Sequence, residues 1–408
     1  MSRRFACCLA AVVLAACGDA TPPPSDARAP QLVEFASPAG PGSAEPALSV
    51  GPDGTVHLSW LEARGGGVHA LRVARLAPGT AHWSAPQTVV ERGDLFVNWA
   101  DFPSLLPARD GRLVAHWLQK SGADPYAYDV RVSQSFDAGA SWSEPRVLHD
   151  DGVAAEHGFV SLWETADGQV QAVWLDGRAG GESSADARTQ LGFTTLSPEG
   201  VPGPTELIDT RTCDCCQTDA AVAAAGPVVA YRDRTEDEIR DIQVRRRVNG
   251  LWSDPVTVHA DGWKIEGCPV NGPAIAARDT RVAVAWFTGA APAERVSVAF
   301  SDDGGASFSA PLRVDEGKPL GRVDLVLDNE GNALVSWLER GEGDTARVLL
   351  RRVKTGGERS APLEAAKSSA ARASGFPRMV AVADGVLLAW TDVAEPSHVR
   401  VVRARPAP

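Results

Sequence analysis

The sequence predicts an all-β chain closed into a β-propeller of seven four-stranded blades, with six as the alternative count. Three observations carry that prediction. An apolar, β-rich run ending in an aromatic residue recurs along the chain, a tight-turn signal precedes most copies, and the last copy lacks a strand that the start of the folded chain can supply.

The recurring run reads "TVHLSW" (Trp60), "RLVAHW" (Trp117), "QVQAVW" (Trp174), "PVVAY" (Tyr231), "RVAVAW" (Trp286), "NALVSW" (Trp337) and "GVLLAW" (Trp390), and successive differences are 57, 57, 57, 55, 51 and 53 residues. A shorter apolar segment precedes each run, usually across a turn pair: Asp53-Gly54, Asp110-Gly111, Asp167-Gly168, Glu330-Gly331 and Asp384-Gly385. Such pairs accept the positive φ of a two-residue hairpin. A variable loop follows the aromatic, then a third strand such as "YDVRVSQS" and a fourth such as "WSEPRVLHD". The final unit, ending "HVRVVRARPAP", has only three strands, whereas "APQLVEF" (Ala29 to Phe35) matches the fourth-strand text "APQTVVE" of the first unit. The N-terminal strand is therefore expected to complete the last blade, and ring closure removes exposed sheet edges.

Before that strand lie two segments of another kind. Arg3 and Arg4 precede an apolar run from Phe5 to Ala16, too short for a permanent span, which reads as a secretion signal over residues 1 to 16. Its end, "LAAC", resembles the bacterial lipobox, and that resemblance implies lipidation of Cys17. Residues 17 to 30 then form a Pro-rich, charged tether with too few apolar side chains to fold, and the propeller occupies 31 to 408. The expected location is the cell envelope, periplasmic or at the outer membrane, with the N-terminal lipid as the only membrane contact. Removing residues 1 to 16 takes two of the 40 basic residues and none of the 52 acidic ones, leaving 38 − 52 = −14, which disfavours a nucleic-acid partner.

Two turns between third and fourth strands read "SFDAGASW" (Ser135, Asp137, Gly139, Trp142) and "SDDGGASF" (Ser301, Asp303, Gly305, Phe308), both fitting SxDxGxx[WF]. The pattern resembles the Asp-box of sialidase-like, or BNR-repeat, propellers. The resemblance covers the whole folded chain and implies a structural role for these residues, on the face opposite any active site. For a sialidase it also implies three arginines that clamp a carboxylate, a tyrosine nucleophile activated by a glutamate, and an aspartate acid/base. The Arg-Ile-Pro type motif that opens such domains is absent, and only Tyr126, Tyr128 and Tyr231 are available. The catalytic set does not transfer residue by residue.

The unusual chemistry gathers in the middle blades. In a propeller the fourth-to-first strand links and the second-to-third strand loops share one face around the channel mouth. Cys213 lies 18 residues before Tyr231 and Cys268 lies 18 before Trp286, so both occupy one level in adjacent blades, and His157, 17 before Trp174, falls nearly beside them. The loops after the aromatics add Arg178, Arg232 and Arg234, candidates for gripping a carboxylate or phosphate, with Asp233 as a further ligand-binding candidate beside them, and Tyr126 and Tyr128 are candidates for stacking on a sugar.

Past Cys17 the chain has only Cys213, Cys215, Cys216 and Cys268, three of them in "CDCC". An oxidising compartment favours disulfides, and complete intramolecular pairing requires one bridge inside "CDCC". The alternatives are a soft-metal site for copper or zinc, built from Cys213, Cys215, Cys216, Cys268 and His157, or a thiol redox role. No phosphate loop, dinucleotide fingerprint, HExxH motif or nucleophile elbow occurs. Three functions remain open: ligand binding at the channel mouth (a glycan, small anion or soft metal), an exo-α-sialidase or related glycoside hydrolase with a divergent site, and an interaction scaffold for an envelope protein.

Overall fold

The computed structural model describes residues 30–180 and 188–405. The signal segment, Cys17 and most of the tether lie outside the described residues. Among the described residues no helix is long and apolar enough to cross a membrane.

Seven antiparallel sheets follow one another around a ring. Their innermost strands are Ser43–Val50, Ser104–Pro107, His157–Glu164, Asp219–Ala223, Ala274–Arg278, Pro319–Leu327 and Arg378–Val382, each paired with the strand that carries the repeat aromatic. The expected closure is present: Gln31–Phe35 pairs with His398–Arg405, placing Gln31 opposite Arg405 and Phe35 opposite Val401. In the fourth blade the outer edge is split, because both Leu251–Trp252 and Val256–His259 pair with Ile242–Val248.

Each repeat aromatic sits between blades. Trp60, Trp117, Trp174, Tyr231, Trp286 and Trp337 are essentially inaccessible and Trp390 is buried. Truncating one such side chain to alanine costs about 3–5 kcal/mol. Their polar atoms also need partners inside the core. The indole N–H donates to the acid two residues further along the same strand in three blades: Trp60 to Glu62 at 3.1 Å, Trp174 to Asp176 at 2.9 Å and Trp337 to Glu339 at 2.8 Å.

Carboxylates also latch neighbouring blades at the channel. Asp101 accepts the backbone N–H of Phe159 at 2.7 Å, Asp219 that of Ile275 at 2.8 Å and Asp324 that of Met379 at 2.6 Å. The channel narrows to a polar cavity of about 170 Å³ whose lining includes Asp101, Phe159, Gln217, Thr218, Asp219 and Arg378.

Both Asp-boxes are closed turns. Ser135 Oγ donates to Asp137 at 2.8 Å and accepts from Gly139 N–H at 2.8 Å, while Asp137 accepts Ser141 N–H at 2.8 Å. Ser301, Asp303, Gly305 and Ser307 repeat the network at 2.7, 2.8 and 2.9 Å. Gly139 and Gly305 have φ of 90° and 88°, which an L side chain rarely adopts. Trp142 and Phe308 pack against the apolar clusters of their blades. Ala138 shares a groove with Asp53, Pro52 and Gly111, so Asp-box and Asp-Gly turns occupy the same face, away from the cysteines.

Candidate functional site

The link from the third blade's outer strand (Glu206–Thr212) to the fourth blade's inner strand (Asp219–Ala223) carries the "CDCC" segment. Cys213 N–H donates to the carbonyl of Arg232 at 3.0 Å, which ties the segment to the strand bearing Tyr231. Gln217 and Thr218, directly after Cys216, line the channel cavity. The segment therefore leads directly into the channel lining. Cys213 and Cys216 are buried, Cys215 is half-buried and Cys268, from the next link, is exposed.

The four cysteines are unbridged. The sulfurs of Cys213, Cys215 and Cys216 lie within 4.8 Å of one another, and Cys213 Sγ is 3.8 Å from Cys215 Sγ. A disulfide needs about 2.0 Å. A tetrahedral ion with metal–sulfur bonds of about 2.3 Å has edges of about 3.8 Å. Arg240, from the charged loop after Tyr231, approaches the same sulfur: its Nη1 is 3.4 Å from Cys213 Sγ and 3.3 Å from Asp214 Oδ1. Burial pushes the Cys213 thiol up, but hydrogen bonds from Cys215 and Cys216 and the Arg240 charge outweigh it and hold the group well below the ordinary thiol range. Cys268 is also displaced downward, chiefly by its contact with the Cys215 thiol. Burial and the neighbouring sulfur push Cys216 well up. The cluster thus concentrates thiolate character on Cys213 and Cys268.

His157 does not join the thiols. It opens the inner strand of the third blade, and its Nε2 faces Asp151 Oδ2 at 2.9 Å and Asp176 Oδ1 at 3.7 Å. Its ring stacks on His149 at 3.7 Å with planes 5° apart, and His149 Nδ1 contacts the other Asp151 oxygen at 2.8 Å. Those contacts turn the imidazole toward the second blade.

The arginines expected to grip an anion are engaged inside the protein. Arg178 forms a two-point pair with Asp176 at 2.9 and 2.8 Å. Arg234 does the same with Glu238, Nε to Oε2 at 3.0 Å and Nη2 to Oε1 at 2.8 Å. Arg232 is 1% exposed and donates to the carbonyls of Asn271, Arg240 and Phe287 at 2.8, 2.6 and 2.7 Å, with its guanidinium 4.9 Å from the Trp263 ring centre. It is an internal clamp between blades. Asp233 accepts from Gln243 at 2.9 Å, and burial raises its pKa to about 6.

The two tyrosines separate. Tyr126 is 58% exposed at the loop, whereas Tyr128 is fully buried and stacked on Phe96 at 3.9 Å. Tyr128 therefore offers no stacking surface. Its hydroxyl instead lies 3.0 Å from both Asp101 Oδ2 and Glu156 Oε1. One phenolic proton serves only one of these acceptors, so the arrangement calls for a proton on a carboxyl as well. Burial raises Asp101 to about 8 and Glu156 to about 7, the latter helped by the charge of Asp214 beside the cysteines. Glu156 was legible in the repeat: it lies 18 residues before Trp174 (174 − 156), the level of Cys213 and Cys268.

No protein-family model matches the sequence, and no curated protein matches it. Solved structures do. A protein of unknown function from Dyadobacter fermentans is similar at 14% identity over 93% of this chain and 98% of its own, with a TM-score of 0.51. The endosialidase of phage phi92 is similar at 10% identity over 93% of this chain and 69% of its own, with a TM-score of 0.50. A Hadza microbial sialidase, Hz136, aligns at 14% identity over 72% of this chain with a TM-score of 0.47, and the chain spans only 63% of that sialidase's length. At such identities the likeness is one of architecture. Together with the ring of blades and its two Asp-boxes, it makes the chain a seven-bladed sialidase-like β-propeller.

Proposed function

We propose that this propeller is a lipid-anchored, extracytoplasmic protein that binds a thiophilic metal ion, copper(I) or zinc, at its channel mouth. The observation that carries the reading is the convergence of Cys213, Cys215 and Cys216 sulfurs within 4.8 Å, unbridged and with Cys268 alongside. Soft thiolates select such ions. The engagement of Arg178, Arg232 and Arg234 by internal partners weighs against a small anion or acidic glycan as the ligand. The test is metal analysis with thiol titration of protein isolated from the cell envelope. Stoichiometric metal that is lost in Cys213→Ser supports the reading; four cysteines locked as two disulfides without metal would sink it.

A second reading, a glycoside hydrolase with a divergent site, draws on one contact: the Tyr128 hydroxyl held at 3.0 Å by Glu156 beside a buried aspartate. Because Tyr128 is fully buried, access of a substrate to its hydroxyl would require the residues packed around it to move. Release of product from a fluorogenic sialoside, abolished by Tyr128→Phe, would establish this reading at the expense of the first.

A further inference from the structure

We propose that the cysteine cluster is built for two copper(I) ions bridged by the sulfur of Cys215. This rests on the metal-binding reading above and goes further by fixing the number of ions and their shared ligand.

Two donor sets overlap at one residue. Cys213, Cys215 and Cys216 form the inner set, and Asp214, Cys215 and Cys268 form the outer one, the donor atoms of each lying within 4.8 Å of one another. Cys215 alone belongs to both. Cys268 reaches the cluster through Cys215 and through Asp214, whose Oδ1 is 3.7 Å from its sulfur. A single tetrahedral ion needs every sulfur pair about 3.8 Å apart. The Cys213–Cys215 pair meets that separation at 3.8 Å, but Cys268 stands outside the inner set. A thiolate that has given one lone pair to a metal retains others, so Cys215 can serve both positions.

Coordination number favours copper(I). Each set supplies three donors, fewer than the four that structural zinc almost always takes, whereas soft thiolates select copper(I). Four thiolates, Asp214 and Glu238 carry −6 when deprotonated, and Arg234 and Arg240, each paired with both acids, return +2. The remaining −4 in this partly buried site is offset further by two monovalent ions than by one. Each thiol releases one proton on coordination and nothing is oxidised or reduced, so the copper enters and remains as copper(I).

The full chain, reduced and kept anaerobic, is titrated with copper(I) against a chromogenic chelator. The expected endpoint is two equivalents. Cys268→Ser, an exposed position whose change leaves the core packing intact, should take up one, and Asp214→Asn should weaken the second equivalent about tenfold. Cys215→Ser should bind at most one, and circular dichroism confirms that each variant is folded. A wild-type endpoint of one equivalent overturns the bridged pair and leaves the single-ion reading standing, and two equivalents retained by Cys268→Ser overturn it by removing Cys268 from the second position. No uptake at all by reduced wild-type protein overturns both.

Discussion

Replacing Arg232 separates two roles for a residue that the sequence marks as an anion ligand. Arg232→Met keeps an apolar stem against Trp263 and removes the donors that reach the carbonyls of Asn271, Arg240 and Phe287 at 2.8, 2.6 and 2.7 Å. Those carbonyls come from the fourth blade's loop, the next interblade link and the fifth blade. Hydrogen bonds to a charged donor contribute about 1.5–3 kcal/mol each and do not add fully, so the loss should be about 3–5 kcal/mol. With roughly 370 ordered residues the unfolding entropy at the midpoint is ~0.8 kcal/mol/K, and the shift in Tm comes to about −4 to −6 °C. Differential scanning calorimetry of the reduced, metal-free protein reads it. A shift below about 1 °C would refute the clamp. Unchanged Tm with lost binding of a carboxylate or phosphate would restore the anion role.

Two further outcomes follow from the carboxylates. The folded Asp101 carboxyl, raised to about 8, holds its proton more tightly than in the unfolded chain; its contribution is therefore fully present below about pH 4 and is lost as pH rises toward 8. Asp101→Asn should flatten the decline of the urea midpoint across that window, and a variant as pH-dependent as wild type would contradict the burial argument. The Asp-box acids behave oppositely. Asp137 and Asp303 are lowered to about 2, first by Ser141 and Ser307 respectively, so their contribution is present above the ordinary value of 3.8 and disappears as pH falls toward 2. The double variant Asp137→Ala, Asp303→Ala should melt lower at neutral pH, converge with wild type in acid and bind metal unchanged, because these turns lie on the opposite face.

The ring was legible because each blade repeats one burial problem. An aromatic at a fixed place in the second strand and a turn before it recur strictly enough to count, and the unpaired final strand identifies its partner at Gln31–Phe35. The level of Cys213 and Cys268 followed from the same register. Side-chain direction did not. His157 is one residue from that level, and in a strand one residue turns the side chain to the other face, here toward Asp151. The charged loops misled for a related reason: the acid two residues after the aromatic is an internal acceptor for the indole, so Asp176 is inaccessible and draws Arg178 to itself. Arg232 gave no signal of burial, because its partners are carbonyls, which every residue has. Arg240 sits inside "RTEDEIRD", where composition reads as solvent-facing, and only the folded loop returns it to the thiols.

The claim that the "CDCC" segment and Cys268 hold a metal ion is tested most directly by X-ray absorption at the metal edge of protein isolated from the cell envelope. The expected spectrum shows a metal edge with a sulfur shell at about 2.3 Å. An edge signal with only oxygen or nitrogen neighbours, or no edge above background, would contradict it.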